Sequence, residues 1–274
     1  MTDRPFRFGV VAGFAPNVDA LTTLAGRAEE LGYDTVVTPD PLGAHDPLTA
    51  LAAVAAATTR LHFGTFVLAV SYRDSRMLAW QAQTLHALSG GRFELGLGTG
   101  RPDAARHAER LGREFGSGAQ RVAWLADTVA EVTQAADRPR LLLAGAGPKL
   151  LDLAAKEADI VSLTWRPQTT EAEADVVIDR FRQAAGARAD EIELNLNLIA
   201  VGDTPAPWVE RYIGTTTAEL AKAGAVTVLP GTPEQCVETL LRWRERWGVS
   251  YITVNAGFLE QFAPVVAKLG GAQL

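Results

Sequence analysis

Cysteine is almost missing from the 274 residues. Cys236 is the one thiol, so no intramolecular disulfide can form and a disulfide-stapled secreted scaffold is excluded. Its place in an apolar-periodic segment predicts a buried, unreactive side chain. Histidine is scarce as well, at four residues (His45, His62, His86 and His107). No two of them have the spacing of a metal-binding pair, and no metal centre is expected. His62 and His86 read as structural, whereas His45 and His107 fall in or beside loops. No G-x-S-x-G elbow occurs and the cysteine lies in a helical stretch, which leaves covalent hydrolysis without apparatus. Charge is not concentrated either: 26 basic and 32 acidic side chains give a formal −6 without long blocks, a pattern that offers no footprint to nucleic acid or an anionic membrane. No uncharged apolar run reaches the roughly 18–20 residues that span a bilayer, and "MTDRPFRFGVVAGFAP" lacks the apolar core of a secretory signal. These absences predict a cytoplasmic protein whose partners are small molecules.

What the chain does have is 47% hydrophobic content, enough for a large core, and a regular alternation. Eight short β-branched or apolar runs ("RFGVVAG", "DTVVTPD", "LHFGTFVL", "RFELGLG", "RLLLAG", "DIVSLTW", "EIELNLNLIAVG", "SYITVNAG") alternate with segments of helical period such as "VDALTTLAGRAEELG" and "PKLLDLAAKEA". The alanine-rich "PLTALAAVAAATT" reads as a buried helix. Eight strand-then-helix units in this length predict an α/β fold, a (β/α)8 TIM barrel, as one domain over 1–274. A doubly wound open sheet is the rival, because it uses the same unit. Its strands are covered on both faces and should be apolar throughout. Here "EIELNLNLI" alternates Glu191, Glu193, Asn195 and Asn197 with apolar residues, and Tyr251, Thr253 and Asn255 repeat the pattern, as one face looking into a barrel requires. The same parity in "GRFELGLGTGR" turns Phe93, Leu95 and Leu97 to the helices and leaves Glu94, Gly96 and Gly98 inward. Glu94 is expected to be a structural charge paired inside the barrel, and the glycines to leave vacancies near its mouth.

Barrel sites lie at the C-terminal ends of strands, here Phe14, Asp40, His45, Ser71 to Arg73, Gly98 to Arg101, Gly145 to Lys149, Trp165 and Asn197. The set is poor in catalytic groups. "AGAGPK" combines a glycine turn with Pro148 near the first position of a helix, where free backbone N–H groups and the helix dipole can receive a phosphate; an ordinary turn is the other reading. "GLGTGR" lacks the third glycine and the immediate helix of a dinucleotide fingerprint.

Together these residues resemble the bacterial luciferase-like enzymes, and the branch using coenzyme F420 most closely. The similarity runs over "AEELGYDTVVTPD", "TTRLHFGTFVLAVSYRDS", "LSGGRFELGLGTGR", "LLLAGAGPKLLDLAAKEADIV" and "LPGTPEQCVETL". The resemblance implies a luciferase-like TIM barrel, usually a homodimer, with the cofactor ring at the mouth. It implies a cis peptide at Phe66–Val67 in a strand that backs the ring, with Gly98 and Gly100 beside the ring. Gly145, Ala146, Gly147 and Pro148 correspond to the phosphate turn, and Asp40 to the acid ending the second strand. Many relatives follow that aspartate with a histidine that assists proton transfer. Pro41 stands there instead and can move no proton, so His45 is the candidate to replace it, with Asp40. Phe14, Tyr72, Arg73, Trp165 and Asn197 are candidate substrate contacts. The expected function is F420-dependent hydride transfer with a small organic substrate. Alternatives are an FMN-dependent monooxygenase fed by a partner flavin reductase and a non-catalytic flavin- or deazaflavin-binding protein.

Overall fold

The computed structural model describes residues 4–41, 43–204 and 206–270. Its strands are β1 (Arg7–Val11), β2 (Thr35–Thr38), β3 (His62–Thr65), β4 (Leu68–Ala69), β5 (Phe93–Gly98), β6 (Arg140–Ala144), β7 (Ile160–Ser162), β8 (Glu193–Leu198), β9 (Ala200–Val201), β10 (Val228–Leu229) and β11 (Val249–Asn255). The large sheet runs β3-β2-β1-β11-β8-β7-β6-β5-β4, every pair parallel, and β3 also pairs with β5. That last pairing closes the sheet, so the fold is the barrel and not the open sheet. β4 continues the third barrel strand and pairs through Leu68 with Leu97 and through Ala69 with Gly98.

The helices are α1 (Val18–Glu30), α2 (Pro47–Ala57), α3 (Ser75–Leu88), α4 (Ala104–Arg110), α5 (Gly118–Thr133), α6 (Pro148–Glu157), α7 (Glu171–Ala185), α8 (Pro207–Ile213), α9 (Thr217–Lys222), α10 (Pro233–Trp247) and α11 (Leu259–Leu269). Most start on a side chain that takes up an orphan backbone N–H. Asn17, Asp46 and Asp74 do so for α1, α2 and α3, and reciprocal capping boxes at Ser117/Gln120, Thr170/Glu173 and Thr232/Gln235 open α5, α7 and α10. The alanine-rich α2 is buried only along Pro47, Leu51 and Val54; its small residues let one face dock while the other alanines stay partly open. Between β8 and β11 lies an insertion holding α8, α9 and β10, which pairs with β9 in a separate two-stranded sheet. Its strands are two residues long, too short to carry a period in the sequence.

Strand parity sorts the side chains as expected. Phe93, Leu95, Leu97, Leu141 and Leu143 join the core between barrel and helices, while Leu142, Ile160 and Tyr251 form an inner cluster with Phe66, Val67 and Ala144. At the N-terminal end of the barrel the inner layer is ionic. Arg7 donates to Glu94 at 2.5 Å and to Glu193 at 2.6 Å, Arg140 reaches Glu193 at 3.0 Å, and the Arg7 guanidinium lies 4.6 Å above the Tyr251 ring. Burial works against the charge on Arg7, but Glu94 and Glu193 outweigh it and its pKa is raised. Glu94 is thus the paired structural charge that parity implies. Cys236 is buried, with its thiol pushed up to about 11 by that burial, as an inert thiol should be.

Candidate active site

The opposite, C-terminal end is where the sequence candidates gather. The peptide bond between Phe66 and Val67 is cis, and the Val67 side chain turns inward over the two glycines of β5. A Cβ on Gly98 would stand 2.8 Å from Val67 Cγ2, and one on Gly96 would meet the Thr65 carbonyl oxygen and, at 3.0 Å, Val67 Cγ1. The vacancies read from the sequence therefore exist, but this chain fills them with its own third strand, because the bulge between β3 and β4 needs the room. Gly100 is different: its φ of 78° favours glycine, and it sits where Ala69, Ala104 and Phe115 converge.

Asp40, just past β2, is held on three sides. It accepts from the Ala69 N–H at 3.0 Å, and Arg73 donates to both carboxylate oxygens at 2.6 and 2.9 Å. Arg73 also reaches Asp46 at 3.1 Å. Burial opposes the guanidinium charge, but the two aspartates prevail and its pKa is raised. Asp40 ties the second strand to the extension of the third. His45, in the following loop, is exposed and makes no side-chain hydrogen bond among the described residues.

Tyr72 lies buried with Ala69, Ala104 and Ala108, its hydroxyl 3.2 Å from His107 Nδ1. Burial, then Asp40 and Asp103, push the phenol up to about 12, against the pull of Arg73. His107 carries no role in the sequence reading. Its partner is 35 residues away in the chain, and only the packing of α4 on the turn after β4 brings them together.

On β6 the turn behaves as two halves. The Gly145 N–H donates to Ser162 O at 3.0 Å, and a Cβ there would strike Leu150. Gly147 precedes α6 with no side chain capping the helix, Pro148 fills the first position, and nothing lies within 4 Å of a Cβ on Gly147. Ala146 is half-buried between them. Because Ala144 pairs with Gly98, this open turn rises directly beside the Phe66–Val67 wall.

Among the remaining candidates, Phe14 is exposed and Trp165 packs against the core, its Nε1 without a hydrogen-bond partner among the described residues. Asn197 accepts from Thr253 Oγ1 at 2.9 Å. Asn255, inward by parity, spends its carboxamide oxygen on the Gly257 N–H.

Residues 5–130 match the family model of luciferase-like monooxygenases. The fold is a closed, all-parallel (β/α)8 barrel. A curated protein of Mycobacterium tuberculosis, provisionally assigned as a coenzyme F420-dependent oxidoreductase, is 43% identical over 79 residues, which is 29% of this chain and 22% of that protein. The chain thus matches about a fifth of the relative's length. The F420-dependent tetrahydromethanopterin reductase of Methanopyrus kandleri superposes with a TM-score of 0.74 at 15% identity, over 97% of this chain and 98% of that one. A monooxygenase from Streptomyces bottropensis does so with 0.72 at 20%, over 96% and 98%.

Proposed function

We propose that this chain is an oxidoreductase that holds coenzyme F420 across the barrel mouth and carries out hydride transfer with a small organic substrate. The observation that carries the reading is an adjacency. The apolar wall of Phe66, Val67 and Ala144 stands next to the glycine turn at Gly147, whose flank is open and whose helix start is uncapped. A flat ring fits the first and a phosphate the second. The deazaflavin supplies the hydride chemistry when bound. Phe66 and Val67 back the ring, and Gly98 and Gly100 shape the strand end beneath it. The turn from Gly145 to Pro148 receives the phosphate. Asp40 anchors Arg73 and Ala69, and the exposed His45 in the following loop is, with Asp40, the candidate to handle a proton. Phe14, Tyr72, Arg73, Trp165 and Asn197 face the substrate side. The 79-residue match to a relative provisionally assigned as F420-dependent supports the cofactor.

A homodimer in the cytoplasm completes the reading. Met77, Trp80 and Leu88 stand 49%, 68% and 81% exposed on α3, at helical spacing along one face, which is what a second copy would cover. Among the described residues no helix is long and apolar enough to cross a membrane.

An FMN-dependent monooxygenase, supplied by a partner flavin reductase, is the second reading. It is favoured by the description of the family matched over residues 5–130. Fluorescence titration with F420 and with FMN separates them. Micromolar F420 affinity is expected; micromolar FMN binding without F420 binding would replace the first reading by the second.

A further inference from the structure

The polar side chains on β7, β8 and β11 form a column whose hydrogen bonds run in one direction. Asn195 sets it. Its Nδ2 lies 3.3 Å from the Tyr251 carbonyl oxygen, a group that can only accept, so its Oδ1 takes the Ser162 hydroxyl at 2.7 Å. The same Nδ2 is 3.4 Å from Thr253 Oγ1. That hydroxyl therefore accepts on one side, and its single proton goes to Asn197 Oδ1 at 2.9 Å. Asn197 stands at the rim with its acceptor end satisfied and its Nδ2 without a protein partner among the described residues, on a side chain only half-buried. Across the mouth Arg73 is committed to Asp40 and Asp46, and the ionic cluster of Arg7, Glu94, Arg140 and Glu193 lies at the far end of the barrel.

We propose that Asn197 is the substrate-recognition residue, donating through Nδ2 to the oxygen of a neutral carbonyl compound such as a ketone, aldehyde or enone. A lone amide donor satisfies a carbonyl oxygen but cannot repay the desolvation of a carboxylate, which needs a cation beside it. An ammonium group would meet donors with donors. The column thus names the substrate class of the hydride-transfer site above and rests on that reading.

The test uses three probes of one shape, 2-cyclohexen-1-one, cyclohexanecarboxylate and cyclohexylammonium, with the full chain in wild-type and Asn197→Asp forms. Asn197→Asp keeps the size and the acceptor for Thr253, and replaces the donor by a negatively charged acceptor that repels a carbonyl oxygen. The readout is the side-chain amide NMR signal of Asn197, identified by its loss in that variant, with F420 affinity measured alongside. The enone should move the Asn197 amide protons downfield. Its affinity should fall at least about tenfold in Asn197→Asp while F420 affinity changes less than about twofold. Unchanged enone affinity in the variant, a static Asn197 signal under enone binding, no enone binding by the wild type, or a preference for either charged probe would each overturn the proposal. If Asn197→Asp does not fold, the wild-type signal decides, with its assignment made by selective labelling. Failure to bind F420 together with a specific enone response would remove the redox reading and leave Asn197 as the recognition residue.

Discussion

The Val67 side chain occupies the space that a side chain on Gly98 would need, with Cγ2 2.8 Å from where that Cβ would stand. Gly98→Ala should therefore overpack the mouth and cost about 1–3 kcal/mol, read as a lower midpoint in urea. In the Gly98→Ala/Val67→Ala pair the two costs should fall short of additive, because the smaller side chain vacates the contested volume. Strict additivity would show that Val67 does not fill that space. Gly96→Ala is expected to be worse, since its Cβ meets the Thr65 backbone carbonyl, which cannot rotate away.

The two glycines of the β6 turn should respond in opposite ways. Gly145→Ala collides with Leu150 and should lower stability, whereas Gly147→Ala points a methyl into open space and should leave the melting temperature within a degree or so. If a phosphate approaches there, Gly147→Ala should nonetheless weaken F420 binding by about tenfold or more. Equal F420 affinity in calorimetry would move the phosphate away from this turn.

Removing the central cation of the ionic barrel floor leaves the buried carboxylates of Glu94 and Glu193 with the half-exposed Arg140 as their remaining arginine. Arg7→Met should cost about 3–5 kcal/mol in chemical denaturation. Adding Glu94→Gln and Glu193→Gln to it should recover part of the loss, because the buried side chains are then neutral and the half-exposed Arg140 keeps its solvent. No recovery in the triple variant would argue that the cost lies in packing over Tyr251 instead.

His62 supplies a pH dependence. Burial, aided by Arg7, Arg140 and Arg92, holds its pKa below the ordinary 6.5 although Glu94 lies 3.7 Å away. Between 6.5 and that lower value the unfolded chain binds a proton that the folded chain refuses, so stability falls as the pH falls through this window. His62→Gln should flatten the decline in melting temperature below pH 6.5. An identical decline in both proteins would assign it to other groups.

Much of the barrel was legible before any coordinate. Period-2 alternation in "EIELNLNLI" and "RFELGLG" depends only on which face each residue presents, and a strand reverses face at every residue; hence the closed sheet, the inward Glu94 and the helix-facing Phe93, Leu95 and Leu97 could be named. The insertion with α8, α9 and β10 could not, because its elements are too short for a period to register.

Residue type and spacing also determined the candidate turn, "AGAGPK", and the shortage of catalytic groups at the strand ends. Only the tertiary structure decided what each candidate touches. Gly98 makes room for Val67, Asp40 is locked to Arg73, Tyr72 meets His107, and Thr253, 56 residues on, takes the oxygen of Asn197, whose N–H groups find no partner among the described residues. Such contacts join strands and loops far apart in the chain. Local propensity and periodicity report only a residue's own face, whereas a hydrogen bond or a filled vacancy is set by the partner that closure of the barrel brings against it.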